Sequence, residues 1–168
     1  MAVFTIAATG IEAQDKVATV KFEVAGYTIT HPETWTTDNS GDAGTTFVLH
    51  SQLTGPEDSF KDNINLLEQG LPADQANLEK YVAMSIEQLP FFLTNSQLIR
   101  KEKIKRSKKD CYLIEYSGEL NGFALHFIQY IWVVNQKAII LTFTAQPFDY
   151  EVLKSDALMM MDSFRFKI

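Results

Sequence analysis

Cysteine occurs once in the 168 residues, at Cys111. That count excludes an intramolecular disulfide and a cysteine-rich zinc site, and it carries no information on redox compartment. The neighbours Tyr112, Leu113 and Ile114 place the thiol in a strand, where a buried cysteine acts as a small inert apolar group. Histidine is scarce too. His31, His50 and His126 include no His-x-x-x-His pair for a metal. His50 and Ser51 are adjacent in a predicted strand, so their side chains point to opposite faces and cannot act as base and nucleophile. The eight glycines form neither a Gly-x-Ser-x-Gly elbow nor a phosphate-cradling loop. No apolar run reaches the roughly 20 residues that would span a bilayer.

What is present is the composition of one globular domain. Hydrophobic residues make up 46% and charged residues 21%, enough apolar material to bury a sizeable core. The formal charge of −6 is unevenly spread. Residues 100–110, "RKEKIKRSKKD", hold seven of the fifteen basic residues and two of the twenty-one acids, a local +5. The rest of the chain, with eight basic and nineteen acidic residues, stands at −11. Such bulk acidity argues against general nucleic-acid binding and leaves one local basic patch.

The N-terminal stretch "AVFTIAATGIEAQ" has a short apolar core followed by small residues. It reads either as the end of a secretory signal, whose basic leading region is missing here, or as a strand. The first reading implies a periplasmic or secreted protein, the second a cytoplasmic one. The expected organisation is residues 1–17 as this strand or signal remnant and residues 18–168 as one domain.

Along that domain, "VATVKF EVAGYTITHP" alternates around Ala25-Gly26 as a hairpin. "TTDNSGDAGT" is a turn-rich loop, "TFVLHSQL" (46–53) a strand, and "NINLLEQGL" another after a charged loop. Residues 75–89 are predicted as a helix capped by Asp74 and stopped by Pro90, with Leu78, Tyr81, Val82, Ile86 and Leu89 on its apolar face. "QLIRKEKIKRS" reads as a poorly alternating strand. "CYLIEYSGEL", "FALHFIQYIWVV" and "KAIILTFTA", joined by Asn121-Gly122 and Asn135-Gln136, form a three-stranded meander. Pro147 opens a second helix with Asp149 as candidate cap. Tyr150, Leu153, Ala157, Met160, Met161 and Phe164 make its stripe, so the run Met159-Met160-Met161 serves packing and not a thioether metal site. "FRFKI" is a last short strand. Two amphipathic helices need a sheet to cover, which gives an α+β fold, an α/β/α sandwich with a central antiparallel sheet.

Three pieces carry a family resemblance. The strand "YTITHPETW" (27–35) resembles the tyrosine-strand-proline-tryptophan opening of PsbP-like domains. "FKDNINLL" (60–67) is similar to that family's aromatic-loop-asparagine entry into a strand. "MMMDSFRFKI" (159–168) is similar to its closing helix, Ser-Phe and short strand. The resemblance covers roughly residues 18–168. The family includes the PsbP extrinsic subunit of photosystem II, a Ran-binding nuclear-import factor and many bacterial domains without known function. It implies the same layered fold. No chloroplast transit pattern is seen, so the photosystem role is not among the expectations, and no Ran-contacting residues can be matched.

Candidate site residues fall in two groups. Arg100, Lys101, Lys103, Lys105, Arg106, Lys108 and Lys109 lie in a predicted strand and its turn, with Lys101, Lys103 and Lys105 on one face. Such a row would meet an acidic protein, anionic lipid or polyanion, or would protect an edge strand from pairing. Asp58, Asp62 and Asn63 sit in the charged loop and could form a weak cation site, although the spacing is not that of an EF-hand. The simpler reading there is structural: Asn63 and Asn65 bond neighbouring backbone groups and Phe60 folds back as an anchor. No cofactor or metal is implied, and the oligomeric state stays open. The function these features favour is a non-catalytic binding or accessory module presenting its sheet edge and loops to a protein partner, in a bacterial cell envelope if the signal reading holds. One alternative is a small-ligand or lipid carrier with a pocket between the first helix and the sheet, lined by Tyr81, Trp132 or Phe143. A hydrolase using Asp58 and Asp62 is the weaker third.

Overall fold

The computed structural model describes residues 18–56 and 58–167; the strand-or-signal expectation for residues 1–17 lies outside them. The chain opens with a hairpin, β1 (Thr19–Val24) and β2 (Tyr27–Pro32). Ala25 and Gly26 take φ of 46° and 84°, the left-handed pair that matches strand twist in a two-residue turn. The turn-rich loop holds a short strand, β3 (Thr36–Asp38), and one 3-10 turn. Then come β4 (Thr45–His50) and β5 (Asn63–Gly70). Helix α1 (Leu78–Phe92) leads to β6 (Thr94–Arg106), β7 (Lys109–Leu120), β8 (Phe123–Val134) and β9 (Lys137–Ala145). Helix α2 (Pro147–Ser163) and β10 (Arg165–Phe166) close the chain.

The strands form two antiparallel sheets. One has the order β3-β4-β5-β9-β8-β7-β6, the other β1-β2-β10. The meander expected over three strands has four, because Ser107-Lys108 makes a further tight turn with φ of 52° and 61°. Neither residue is glycine or asparagine, so the usual turn signal is absent there.

Both faces of the large sheet are covered, which is why β8 reads as a nearly continuous apolar run. Leu125, Phe127 and Ile131 pack under Tyr81 and Val82 of α1. Their alternates Ile128, Tyr130 and Trp132 pack with Tyr150, Ala157, Met160, Met161 and Phe164 of α2. The small sheet shares this second face through Tyr27 and Ile29. The fold is therefore α+β, and the layered expectation is met only in part: one face carries a helix, the other a helix together with a three-stranded sheet. Met159 points outward while Met160 and Met161 are buried, consistent with packing.

Three helix-end expectations are corrected. α1 starts at Leu78, and its cap is Asn77, whose side chain accepts the Lys80 N–H at 2.9 Å; Asp74 is not the cap. Pro90 does not stop α1 but sits in its last turn, which runs on to Phe92 and closes with Leu93 N–H on the Leu89 carbonyl. Proline near a helix end loses only its own hydrogen bond, so two more residues can follow. Asp149 does not cap α2: the cap position is Gln146, followed by Pro147, and Asp149 lies buried in the first turn, where the helix dipole favours an acid.

Gly118 shows how tightly the link from α1 to β6 crosses β7. A Cβ there would lie 2.9 Å from Leu93 Cβ and 3.2 Å from the Thr94 carbonyl oxygen. Gly118→Ala is expected to destabilise the fold by about 1–3 kcal/mol, the usual cost of overpacking. Chemical denaturation measures it, and an unchanged midpoint would show that the crossing is loose.

Candidate functional site

The basic segment is the exposed edge of the large sheet. β6 pairs with β7 on one side and, among the described residues, has no strand on the other. Lys101, Lys103 and Lys105 stand opposite Ile114, Tyr112 and Asp110, so they share the α1 face. Arg100 and Arg106 turn to the other face, and Lys108 and Lys109 lie at the hairpin turn. Most of these charges have a local partner. Lys103 Nζ is 2.6 Å from Glu79, Lys105 Nζ 3.8 Å from Asp110, Arg106 Nε 2.5 Å from Asp162, and Arg100 pairs with Glu102. The Glu79 carboxylate holds the Lys103 ammonium above the usual lysine range. Lys101 instead lies over the Tyr112 ring at 5.5 Å, and Lys109 over Phe166 at 5.5 Å.

The loop residues Asp58, Asp62 and Asn63 are each engaged by a different neighbour. Asp58 organises its own loop, accepting from Thr54 N–H at 2.8 Å and Phe60 N–H at 3.1 Å. These bonds, the first above all, lower its pKa. Asn63 donates to the Lys61 carbonyl at 3.2 Å, and Asn65 donates to Asn63 at 3.1 Å. Phe60 rests on Phe123 with ring centroids 5.3 Å apart, so the loop is pinned as an apolar anchor would pin it. Asp62 is fully buried at the start of α2, where Oδ1 accepts the Gln146 N–H at 3.1 Å. Among the described residues its Oδ2 and the nearby Ser51 hydroxyl have no hydrogen-bond partner. Burial, with Asp149 and Asp58 adding, pushes its pKa up to about 6. Among the described residues no group of three or more histidine, cysteine or acidic side chains is placed to hold a metal ion.

Other reactive groups serve the interior. Burial pushes the Cys111 thiol up to about 12, which leaves no thiolate at neutral pH. His126 rests on Tyr150 with centroids 4.6 Å apart. Glu115 accepts from Tyr150 Oη at 2.5 Å and Lys154 Nζ at 2.9 Å. Burial works against its charge, but these two donors outweigh it and keep its pKa low.

The sequence reading missed an apolar end. A cavity of about 410 Å³ opens between α1 and the sheet, lined by Tyr81, Ser85, Leu89, Phe92, Tyr116 and Phe127 among others. Phe92, 70% exposed, and Leu120 belong to its lining, and Leu98 stands opposite Tyr116 of the wall; Phe91 at 85% and Ile99 at 51% are exposed next to them in sequence. Tyr81 lines the cavity as expected. Trp132 and Phe143 do not: both are fully buried on the opposite face, because strand side chains alternate and Trp132 lies one residue beyond Ile131. The signal for it in the sequence is "PFFL" (90–93), two phenylalanines that continue the helix past Pro90.

Asp62 generates a pH prediction. A carboxyl whose folded pKa is raised stabilises the fold below its unfolded pKa and loses that contribution as pH rises through about 6. The Asp62→Asn variant is therefore expected to match the wild type near pH 4 and exceed it at pH 8. The gain is about 1–2 kcal/mol, within the roughly 3 kcal/mol that the displaced pKa allows. Urea denaturation at both pH values checks this; equal stability at pH 8 would mean that Asp62 is solvated.

No family model matches the sequence, and no curated protein sequence matches it. Solved structures do. Cyanobacterial PsbP (CyanoP) from Synechocystis superposes with a TM-score of 0.63 at 16% identity, over 95% of this chain and 98% of that one. PA94, a Pseudomonas aeruginosa protein of unknown function, gives 0.62 at 16% identity, over 86% and 94%. LpqN, involved in cell envelope biogenesis of Mycobacterium tuberculosis, gives 0.62 at 12% identity, over 92% and 87%. At these identities the likeness is one of fold, and it agrees with the three sequence pieces: the chain has the PsbP-like fold.

Proposed function

We propose that this chain is a non-catalytic binding or accessory module that docks a protein partner along the β6 edge and the apolar end of α1. One observation carries the reading. Phe91 and Phe92 in the last turn of α1, Leu98 and Ile99 of β6 and Leu120 of β7 are large apolar side chains left exposed, and β6 is an edge strand among the described residues. Exposed large apolar side chains on neighbouring elements mark an interaction surface, and aromatic residues are the usual anchors. Asp62 and Cys111, whose protonation burial displaces upward, are both fully buried. The involvement of LpqN in cell envelope biogenesis, together with the apolar and small residues of positions 3–13, favours work in a bacterial cell envelope.

The test is affinity capture from the source cells, with melting temperatures confirming that each variant folds. Wild type is expected to retain a partner that Phe91→Ser/Phe92→Ser loses. The combined change of Lys101, Lys103 and Lys105 to Glu is expected to weaken it at least tenfold. A partner held equally by all three proteins would place the interface elsewhere.

The cavity favours a second reading, a carrier of a small apolar ligand. Its volume of about 410 Å³ falls within the range of ligand pockets, and a mainly apolar lining with a few polar groups is their usual character. Native mass spectrometry of freshly purified protein should then show a ligand-bearing species that Ser85→Trp abolishes. A clean unliganded mass, with no thermal shift across a lipid panel, would rule the carrier out.

A further inference from the structure

Among the described residues β6 is an edge strand thirteen residues long, whereas the opposite edge, β3, has three. A long free edge invites pairing with other chains. The lysine row decides which chains. Lys101, Lys103 and Lys105 project on one face, about 6.8 Å apart at two-residue spacing. A second copy of β6 laid alongside would set lysine near lysine, and like charges across strands destabilise pairing. An acidic strand would meet the opposite condition. The row therefore rejects the chain's own edge and admits an acidic one, a specificity built partly from repulsion.

The charges are available for this. Lys101 has only the Tyr112 ring beneath it and no carboxylate partner among the described residues. Lys103 and Lys105 pair with Glu79 and Asp110, but all four side chains are exposed, and such pairs hold weakly. Beyond the lysines the register shifts between Leu98 and Arg100, and the same face continues as Leu98, opposite Tyr116 of the cavity wall. The edge is thus cationic at one end and apolar at the other.

We infer that β6 accepts an extended segment of a protein partner as an added antiparallel strand. Acidic side chains at alternate positions would lie against Lys105, Lys103 and Lys101, followed by an apolar side chain against Leu98 and Phe92. Main-chain hydrogen bonds supply affinity and the alternate side chains supply selectivity. This rests on the binding-module reading and specifies the partner's chemistry.

The probe is a capped peptide, Glu-Thr-Glu-Thr-Glu-Thr-Phe, added to the full chain. Its Lys-for-Glu counterpart and a version with proline at the third threonine serve as controls. Hydrogen exchange read by NMR is expected to slow at least tenfold for β6 amides with the Glu peptide. The Lys peptide should bind at least tenfold more weakly and the proline version should give no protection. In the variant with Lys101, Lys103 and Lys105 changed to Glu, checked for an unchanged melting temperature, the preference should invert. Equal binding of the Glu and Lys peptides, or protection away from β6, would overturn strand addition. So would vesicles of phosphatidylglycerol and phosphatidylcholine engaging the lysines while the Glu peptide leaves β6 unprotected, since that would assign the row to a membrane surface. If the peptides fail while capture remains sensitive to Phe91→Ser/Phe92→Ser, strand addition falls and the binding module stands. If both fail, both fall.

Discussion

The end of α2 is the point through which the two sheets and the helix are joined. Phe164 stacks on Tyr27 of the small sheet at 5.4 Å and tilts against Trp132 of the large one at 5.3 Å, with Phe166 set edge-on to both. Asp162 accepts from the Tyr130 hydroxyl at 2.7 Å and pairs with Arg106. Ser163 accepts the Thr30 N–H at 2.8 Å. Aromatic pairs add to the burial of large side chains, and the polar bonds meet groups that would otherwise be stranded inside. Without this clasp the small sheet, whose own β1 is largely exposed, would have little to hold it against the core.

This clasp explains the family motifs physically. Tyr27 stacks on Phe164, Trp35 is buried in the same cluster, and the Asp-Ser-Phe segment makes the bonds described. The aromatic-loop-asparagine piece fixes how the chain enters β5, through Phe60 on Phe123 and the Asn63–Asn65 ladder. All three pieces specify scaffold, so a resemblance in them carries the fold and not a partner. Fold and function are separable in this way for most widely used folds.

Much of the architecture was legible in the sequence because it rests on local rules. The Asn121-Gly122 turn and the period-2 strands 123–134 and 137–145 emerged with the expected boundaries. Ser107-Lys108 was hidden because two residues without turn character take left-handed backbone. The α1 cap was missed by three residues because Asp74 and Asn77 are both good capping residues, and only tertiary placement selects one. The candidate site was less legible. The lysine row could be read as one face, but whether that face borders an apolar surface depends on where α1 ends, and Pro90 was a misleading guide. Asp62 could be named but not understood: burial at the start of α2 depends on contact with Gln146, 84 positions away.

The division between interior and surface chemistry bears on what kind of protein this is. Catalytic sites place groups with displaced protonation where substrate can reach them. Here Asp62, Cys111 and the Glu115–Tyr150–Lys154 set lie within the α2 side of the core, and each is explained by its packing: one at a helix start, one beneath an apolar layer, one as a satisfied polar network. The surface around β6 is built the other way. Its lysines stand largely exposed, and what is unusual is their spacing and the apolar side chains beside them. A surface of that kind discriminates by shape and charge pattern, with a strand edge to supply main-chain hydrogen bonds. On the proposed reading, a row of like charges at alternate positions, the pattern that guards a sheet edge against aggregation, would also let it recognise a strand of opposite pattern.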